Sequence, residues 1–286
     1  MEIKDVYEFL VFDNCNNNCS FCFQRNNPRI FDQQTRQFIF DNVITFIDSD
    51  QFIKGSHVLI VGGEIFYNVA DQKILSEFWN KIVEKMLDNT IDLLYINTNL
   101  LYKDTINLYN FLEAIKQHNL FERLRFTTSY DIEGRFKSKG DEELMLNNLL
   151  DVKRLYPNCQ IVTNIILTKP MCEAIIDERF NSKYFMDKYN CWINFIPYII
   201  SDFRLAADRN TIFNTLKKID NDNPGYLDKY IANLDLAQEK KLYLYKDGKF
   251  QFCSCELAEC GHAINFKKYS DKGSCFICDL KGLFNG

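Results

Sequence analysis

The sequence has 286 residues, 47% of them hydrophobic and 26% charged, which suits one extended α/β domain or a domain with an appendage. The formal net charge of −5 comes without a basic run, so nothing predicts a strong electrostatic grip on nucleic acid or on an anionic membrane. No segment has the pattern of a signal peptide or a membrane span, and we therefore expect a cytoplasmic protein.

Six apolar runs predict buried strands, because hydrophobic residues follow one another or alternate along each of them. In chain order the runs occupy residues 7–13, 57–62, 92–98, 122–128, 159–168 and 191–199. Helical spacing of apolar residues separates them, at 38–47, 74–87, 106–115 and 144–155. This alternation predicts βαβ units, and right-handed crossovers would curl six parallel strands into a partial (β/α)6 TIM-type barrel over residues 1–200.

Distinctive polar residues stand where the predicted strands end. They are the cysteine loop 15–22 after the first strand, Gly62, Gly63 and Glu64 after the second, Asn97, Thr98 and Asn99 after the third, Ser129 and Asp131 after the fourth, and Asn164 on the fifth. Sites in parallel sheets lie at the carboxyl ends of the strands, so we expect one shared site there. The alternatives are ordinary turns for the Gly62 and Asn97 segments and, for Asp131, either a catalytic base or a strand-end group bound by backbone amides.

The pattern changes after residue 240. An alternating run at 242–245, a Gly-containing turn at 246–249 and a second run at 250–252 predict a β-hairpin, and a group of cysteines follows it. We therefore expect a helical connection at 201–240 and a small cysteine-rich hairpin extension at 241–286. The abundance of Asn and Asp along the chain is interpreted as a compositional bias.

Eleven cysteines in a reducing compartment are poor disulfide candidates, which makes metal binding the default interpretation of the two clusters near the chain ends. Cys159, Cys172 and Cys191 are isolated and are expected to be buried as small apolar residues. Four thiolates would complete a tetrahedral zinc site, whereas three can hold three irons of a cubane cluster and leave the fourth iron open. A partial zinc or structural site is the alternative for the first cluster.

The pattern Cys15-x3-Cys19-x2-Cys22, with Phe21 before the last cysteine, resembles the signature of the radical S-adenosylmethionine (SAM) superfamily. The resemblance implies a SAM-binding 4Fe-4S cluster on these three cysteines, whose reduced form cleaves SAM to a 5′-deoxyadenosyl radical that abstracts hydrogen from a substrate. The superfamily's partial barrel also matches the predicted βα order.

Further segments resemble SAM-contacting motifs of the same superfamily. Gly62, Gly63 and Glu64 resemble the GGE motif, in which the backbone and the acidic side chain receive the methionyl ammonium. Ser129 and Arg135 resemble the residues placed against the SAM ribose and carboxylate. Asn99 and Asn164 are additional candidates for SAM contacts, and Asp131 is a candidate catalytic residue.

The carboxy-terminal region resembles the SPASM or twitch extensions of this superfamily, which carry an auxiliary 4Fe-4S cluster. The implied ligands are Cys253, Cys275 and Cys278, with Cys260 or Cys255 as the fourth. One thiol is left spare; it is structural or donates a hydrogen atom to a substrate radical, and we assign Cys255 to that catalytic role. A zinc ribbon is the alternative for this region.

The resemblance implies an enzyme that modifies a peptide or protein side chain by cross-linking, epimerisation or oxidation. It also implies SAM as a partner and an electron donor such as a flavodoxin or ferredoxin. Two alternatives stay open: a radical SAM enzyme that acts on a nucleotide, sugar or amino acid, and a non-catalytic iron–sulfur or zinc binding module.

Overall fold

The computed structural model describes residues 6–12, 15–20, 22, 33–67, 72–197, 207–226, 241–244 and 250–253. Strands and helices alternate through the first 197 residues, which confirms the predicted α/β organisation. The elements are β1 (Val6–Phe12), α1 (Gln33–Ile47), β2 (Ser56–Gly62), α2 (Gln72–Leu87), β3 (Ile91–Asn97), α3 (Ile106–Gln117), β4 (Leu124–Tyr130), α4 (Lys139–Leu155), β5 (Gln160–Leu167), α5 (Lys169–Ile176), α6 (Ser182–Tyr189), β6 (Trp192–Pro197), α7 (Arg209–Asp222), β7 (Lys241–Leu244) and β8 (Phe250–Cys253).

The first six strands form an all-parallel sheet in which each strand pairs with its neighbours in sequence. The order across the sheet is β6-β5-β4-β3-β2-β1, continued by β7 and β8. This order never reverses, so right-handed crossovers all place their helices on the same face of the sheet. A doubly wound sheet, in contrast, reverses its order and has helices on both faces. The topology is therefore that of a barrel-like α/β fold.

Alternation of burial along the strands separates a helix-covered face from an open face. On β4 the side chains of Leu124, Phe126 and Tyr130 are buried, while those of Arg125 and Thr127 are only partly buried. The same alternation holds through most of β5, where every second residue from Ile161 is buried. Because successive strand side chains point to opposite faces, the partly buried set lies together on the open face.

Aromatic side chains fill the space between the sheet and helices α2 and α3. Phe66 stacks on Trp79 with ring centroids 5.5 Å apart, and Trp79 contacts Phe111 at 4.6 Å. Phe126 on β4 meets Phe66 edge-on at 6.0 Å. Phe66 follows Glu64 by two residues, so this cluster anchors the loop after β2 to the core.

Two local features differ from the sequence expectations. Residues Phe121–Arg123 form a short 3-10 turn, so β4 runs from Leu124 to Tyr130 and not from 122 to 128. Ser129 consequently lies inside the strand, paired with Asn164 of β5. The eight-residue helices α5 and α6, between β5 and β6, were not predicted; each begins with a side-chain cap, from Thr168 and Asn181 respectively.

The two last strands extend the sheet at its β1 edge. Residue Val6 of β1 pairs in parallel with Lys241 of β7, and Lys241 pairs antiparallel with Cys253 of β8. The backbone of Cys253 is therefore near the amino end of β1, whereas Cys15 follows its carboxyl end. Cys255, Cys260, Cys275 and Cys278 lie outside the described residues. None of the described helices is long and apolar enough to cross a bilayer.

Leu112 and Leu150 test the packing of the helices on the sheet. Leu112 on α3 is fully buried, whereas Leu150 on α4 is 37% exposed. We expect Leu112→Ala to lower the free energy of unfolding by about 2–5 kcal/mol, because it removes buried methyl groups and leaves a cavity. Leu150→Ala should cost about 1 kcal/mol or less. Urea unfolding of the two variants measures both values, and equal losses would contradict the assigned packing.

Candidate functional site

The cysteine loop lies against the carboxyl ends of β3 and β4. The backbone N–H and the hydroxyl of Ser20 both donate to the Gly134 carbonyl, at 2.7 and 2.9 Å. The Asn16 side-chain amide donates to the carbonyl of Leu101, which follows β3. Loops after three strands therefore meet at one edge of the sheet. Parallel strands impose this convergence, because all their carboxyl ends lie at the same edge.

Glu64 is buried at this edge and fully hydrogen-bonded to the protein. Its side chain is 0% exposed, and the Thr98 hydroxyl is 2.9 Å from both carboxylate oxygens. The backbone N–H groups of Phe66 and Asn99 also donate to the carboxylate. These bonds join the loop after β2 to the loop after β3. The contact between Glu64 and the methionyl ammonium that the GGE resemblance implies stays a prediction.

Burial has the largest effect on the pKa of Glu64. Desolvation raises the pKa of the carboxyl group to about 7, although the N–H groups of Asn99 and Phe66 act in the opposite direction. Gly62, which precedes it by two residues, has φ of 147°, a backbone conformation that residues with a Cβ rarely adopt. A glycine at position 62 thus permits the turn that directs Glu64 into the protein.

Asn99 uses every polar group that it carries to join the surrounding loops. Its side-chain amide nitrogen donates to the Cys15 sulfur at 3.4 Å and to the Asn16 carbonyl oxygen at 2.7 Å. Its side-chain oxygen accepts from the Leu101 N–H at 2.7 Å. Its backbone carbonyl accepts from Arg135 at 3.0 Å, and its backbone N–H binds Glu64. The cysteine loop and the loops after β2, β3 and β4 all meet at this residue.

The turn that presents Asn99 is strained. Leu100 has φ of 56°, in the left-handed region where a branched side chain costs on the order of 1–2 kcal/mol. Asn148 on α4 holds this turn by donating to the Leu100 and Tyr102 carbonyls at 2.8 and 2.9 Å. Strained backbone that surrounding contacts enforce in this way concentrates at functional sites.

Two sulfur atoms of the loop receive amide N–H donors. The Asn17 backbone N–H lies 3.4 Å from the Cys15 sulfur, and the Asn17 side-chain nitrogen lies 3.2 Å from the Cys19 sulfur. Cys19 is buried, Cys15 and Cys22 are partly buried, and none of the three is in a disulfide. Burial raises the pKa of both Cys15 and Cys19, while the Arg135 guanidinium lowers that of Cys19.

Arg135 is a buried cation beside this loop. It is 5% exposed, and its Nε atom has no hydrogen-bond partner in the part of the chain that the structure describes. Its Nη2 atom binds a carbonyl, that of Asn99. A buried guanidinium without a full set of acceptors is costly, and an anionic group at the loop would reduce that cost. The Arg135 carbonyl also accepts from Asn17 at 3.0 Å, so the residue contacts the loop through its backbone as well.

Asp131 holds the turn that carries Arg135. Its carboxylate is 0% exposed and accepts from the Thr168 hydroxyl at 2.5 Å and from the Gly134 N–H. Burial raises the pKa of Asp131, and these donors oppose the rise. These contacts are compatible with a strand-end group bound by the protein, and the catalytic role of Asp131 stays a prediction.

Ser129 on β4 and Asn164 on β5 lie side by side on the open face. They pair in register between β4 and β5, and Asn164 accepts from the Asn194 amide at 3.3 Å. Neither contributes to the hydrogen bonds that join the loops. Their roles as SAM contacts stay predictions.

Contacts of Thr98, Asn16, Asn17 and Thr168 were not foreseen from the sequence. Thr98 was interpreted only as part of a strand-end turn, and the asparagines of the chain as a compositional bias. The sequence signal was positional, since each of these residues ends a predicted strand or lies in the loop after one. Which partner each would bind depends on how the loops meet, and sequence spacing does not encode that.

The chemistry of the loop fits an anionic, thiolate-bound group, although its three sulfur atoms do not converge on one point. Three thiols, amide donors to two of them and a buried guanidinium are the features that stabilise thiolate ligands. Over the residues described, however, no three His, Cys, Asp or Glu side chains are close enough to hold a metal ion. The three cysteines would have to converge on a bound group. Their role as ligands stays a prediction.

Comparisons with known proteins supply no family: the sequence matches no family model and none of the curated proteins. The relevant observation is that Cys15, Glu64, Asn99 and Arg135, from four separate segments, share one hydrogen-bonded edge of the sheet.

The pKa of Glu64 predicts a pH-dependent stability for the metal-free protein. Between pH 4.5 and about 7 the folded protein keeps a proton that the unfolded chain has lost, so stability falls as pH rises through this window. The loss should approach about 3 kcal/mol and level off above the folded pKa. Subtracting the urea-unfolding free energies of Glu64→Gln from those of the wild type isolates this component.

Thr98→Val provides the matching variant for this measurement. It removes the hydroxyl donor to Glu64, which should raise the folded pKa further and extend the falling window to higher pH. A difference between wild type and Glu64→Gln that is constant from pH 4 to 8 would contradict the buried, protonatable state of Glu64.

Proposed function

We propose that this protein is a radical SAM enzyme whose cluster is held by Cys15, Cys19 and Cys22. The observation that carries the proposal is the contact between the cysteine loop and Asn99, which brings the sulfur of Cys15 next to the loop that binds Glu64. A zinc-binding or disulfide-bonded loop on the protein surface would not require this contact with Asn99. The parallel strand order supports a partial barrel, with the site at its carboxyl edge.

A cluster of this kind, when bound and reduced, supplies the electron that cleaves SAM into methionine and a 5′-deoxyadenosyl radical. The residues of the chain would bind SAM and the substrate and orient them. Arg135 would provide buried positive charge for an anionic group, and the Gly62–Gly63–Glu64 segment would receive the methionyl ammonium, as the resemblance implies. Ser129 and Asn164 offer neutral hydrogen-bonding groups for the nucleoside on the open face. Asp131 positions the Gly134–Arg135 turn through its bonded carboxylate.

The open face supports a peptide or protein side chain as the substrate. Toward the carboxyl ends of the strands, its polar side chains are the uncharged amides and hydroxyls of Asn97, Thr127, Ser129, Asn164 and Asn194, whereas Arg125 lies nearer the amino end of β4. Trp192, on the same face of β6, is 69% exposed. Amides match the hydrogen-bonding groups of a peptide, and an exposed indole offers a surface for an apolar side chain. A phosphorylated nucleotide would favour Lys or Arg at these positions.

The cluster proposal predicts a strict dependence on the three thiols. We expect anaerobically reconstituted wild type to release 5′-deoxyadenosine from SAM under reducing conditions, and the triple variant Cys15→Ala, Cys19→Ala and Cys22→Ala to release none. Cys159→Ala is the matched control, because Cys159 is a buried thiol immediately before β5, at the amino-end edge of the sheet opposite the cysteine loop.

The same assay separates an enzyme from a non-catalytic binding module, since a binding module would leave SAM intact. Wild type that holds iron and sulfide but never cleaves SAM would end the enzyme assignment. Continued cleavage by the triple variant would show that the cluster, if any, is held elsewhere.

We also propose an auxiliary 4Fe-4S cluster in the region 241–286, held by Cys253, Cys275 and Cys278 with Cys260 or Cys255 as the fourth ligand. Cys278→Ala should lower the iron content to about that of one cubane per chain while sparing the first cluster. Iron, sulfide and zinc analysis of anaerobically purified protein measures this. If the wild type contains zinc that the variant loses, this region is a zinc ribbon and not a site for an iron–sulfur cluster.

A further inference from the structure

Tyr95, Arg125 and Gln160 form a polar row across the open face of the sheet. Tyr95 pairs in register with Arg125 between β3 and β4, and Arg125 pairs with Gln160 between β4 and β5. All three residues are partly buried. Residues in register on neighbouring parallel strands lie about 5 Å apart and point to the same face. The row therefore brings a hydroxyl, a guanidinium and an amide side by side.

Arg125 is the one lysine or arginine in the six parallel strands. Its Nη1 atom donates to the carbonyls of Glu122 and Leu124 at 2.8 and 2.9 Å, which holds the guanidinium near the start of β4. Within the described ranges it forms no ion pair, and its Nε and Nη2 atoms have no hydrogen bond. Glu8, the acidic residue on the same face of β1, is 7% exposed and has contacts of its own.

The groups of this row are suited to one singly charged anion. A guanidinium binds a carboxylate through two parallel N–H donors, and a hydroxyl and an amide beside it add neutral donors. Burial raises the pKa of Tyr95, so its hydroxyl keeps the proton that it would donate. The formal net charge of the chain is −5, so general electrostatic attraction does not favour an anion here and binding would depend on these directed donors.

We propose that Arg125, together with Tyr95 and Gln160, binds a carboxylate group of the substrate. This inference deepens the proposed function and rests on it. Arg125 precedes Ser129 by four residues on β4, which places the row about 13 Å from the carboxyl edge. Trp192 lies one register level nearer that edge, paired with Val162. A substrate bound at the edge would thus extend past the indole to the guanidinium. The carboxyl terminus of a peptide and an acidic side chain both carry the required group.

The test is isothermal titration calorimetry of the full-length protein without SAM or reductant, at fixed ionic strength. The probes are three acetylated peptides: Gly-Leu-Gly-Gly as the free acid, the same peptide as its amide, and Gly-Leu-Glu-Gly as its amide. We expect the wild type to bind one of the two charged peptides about tenfold more tightly than the neutral amide, because only they form charge-assisted hydrogen bonds. Preference for the free acid identifies a carboxyl terminus, and preference for the glutamyl peptide identifies an acidic side chain.

Variants of the row assign this preference to its residues. Arg125→Gln should abolish it, and Tyr95→Phe, which removes one neutral donor, should reduce it about threefold. Lys54→Gln is the matched control, because it removes the same charge from an exposed residue just before β2, at the amino edge of the sheet. Its preference should equal that of the wild type. Urea unfolding of each variant shows whether it is folded under the conditions of the titration.

The outcomes distinguish this inference from the proposed function. Equal binding of the three peptides by the wild type, or binding of none of them, would overturn the carboxylate site. A preference that persists in Arg125→Gln, or that Lys54→Gln also loses, would overturn it as well. None of these measurements requires a cluster or SAM, so their failure leaves the radical SAM assignment intact. A wild type that prefers the charged peptide but never cleaves SAM would refute the proposed function alone.

Discussion

The hydrogen bond between the Asn99 backbone and the Glu64 carboxylate is the interaction on which the candidate site depends. It joins the ends of β2 and β3, and the same residue extends from there to the cysteine loop and to Arg135. The Thr98 hydroxyl reinforces this junction, and Asn16 and Ser20 add bonds from the cysteine loop to the loops after β3 and β4. Burying a carboxylate costs free energy unless hydrogen-bond donors surround it. Glu64 therefore fixes the positions of the Thr98 hydroxyl and the Asn99 N–H that donate to it.

Asparagine suits this environment for a chemical reason. Its side chain carries a donor and an acceptor without charge, so it can face a sulfur on one side and a backbone group on the other. Lysine or arginine would offer stronger donors but would bring a charge that must be paired where the loop is buried. At positions 16, 17 and 99, the asparagines that the composition suggested were a general bias have specific partners.

The sequence predicted the six parallel strands, their alternation with helices and the edge at which the polar residues gather. These follow from hydrophobic period and from the handedness of crossovers, which depend on local pattern and chain direction. The predicted start of β4 was wrong by two residues, because Phe121–Arg123 form a 3-10 turn before the strand. Helices α5 and α6 were not predicted, because a segment of eight residues shows only about two helical turns of apolar spacing.

The role of individual site residues could not be predicted in the same way. The motif resemblance implied that Glu64 contacts a ligand, whereas the structure gives it the partners Thr98, Asn99 and Phe66. Partner choice depends on distances between loops that are far apart in sequence. Asn17 and Asn99 are separated by more than eighty residues and yet donate to sulfurs of one loop.

Charge balance connects these observations. Glu64 and Arg135 are both buried near the loop but make no ion pair with each other among the described contacts; each is bound instead by groups of the loop after β3. Burial raises the pKa of the Glu64 carboxyl group to about 7, and a second buried carboxyl group, that of Asp131, lies on the turn that carries Arg135. The buried guanidinium and the amide donors directed at sulfur both favour negative charge at the thiols of the loop. This is the charge that the proposed role of the cysteines as ligands would require.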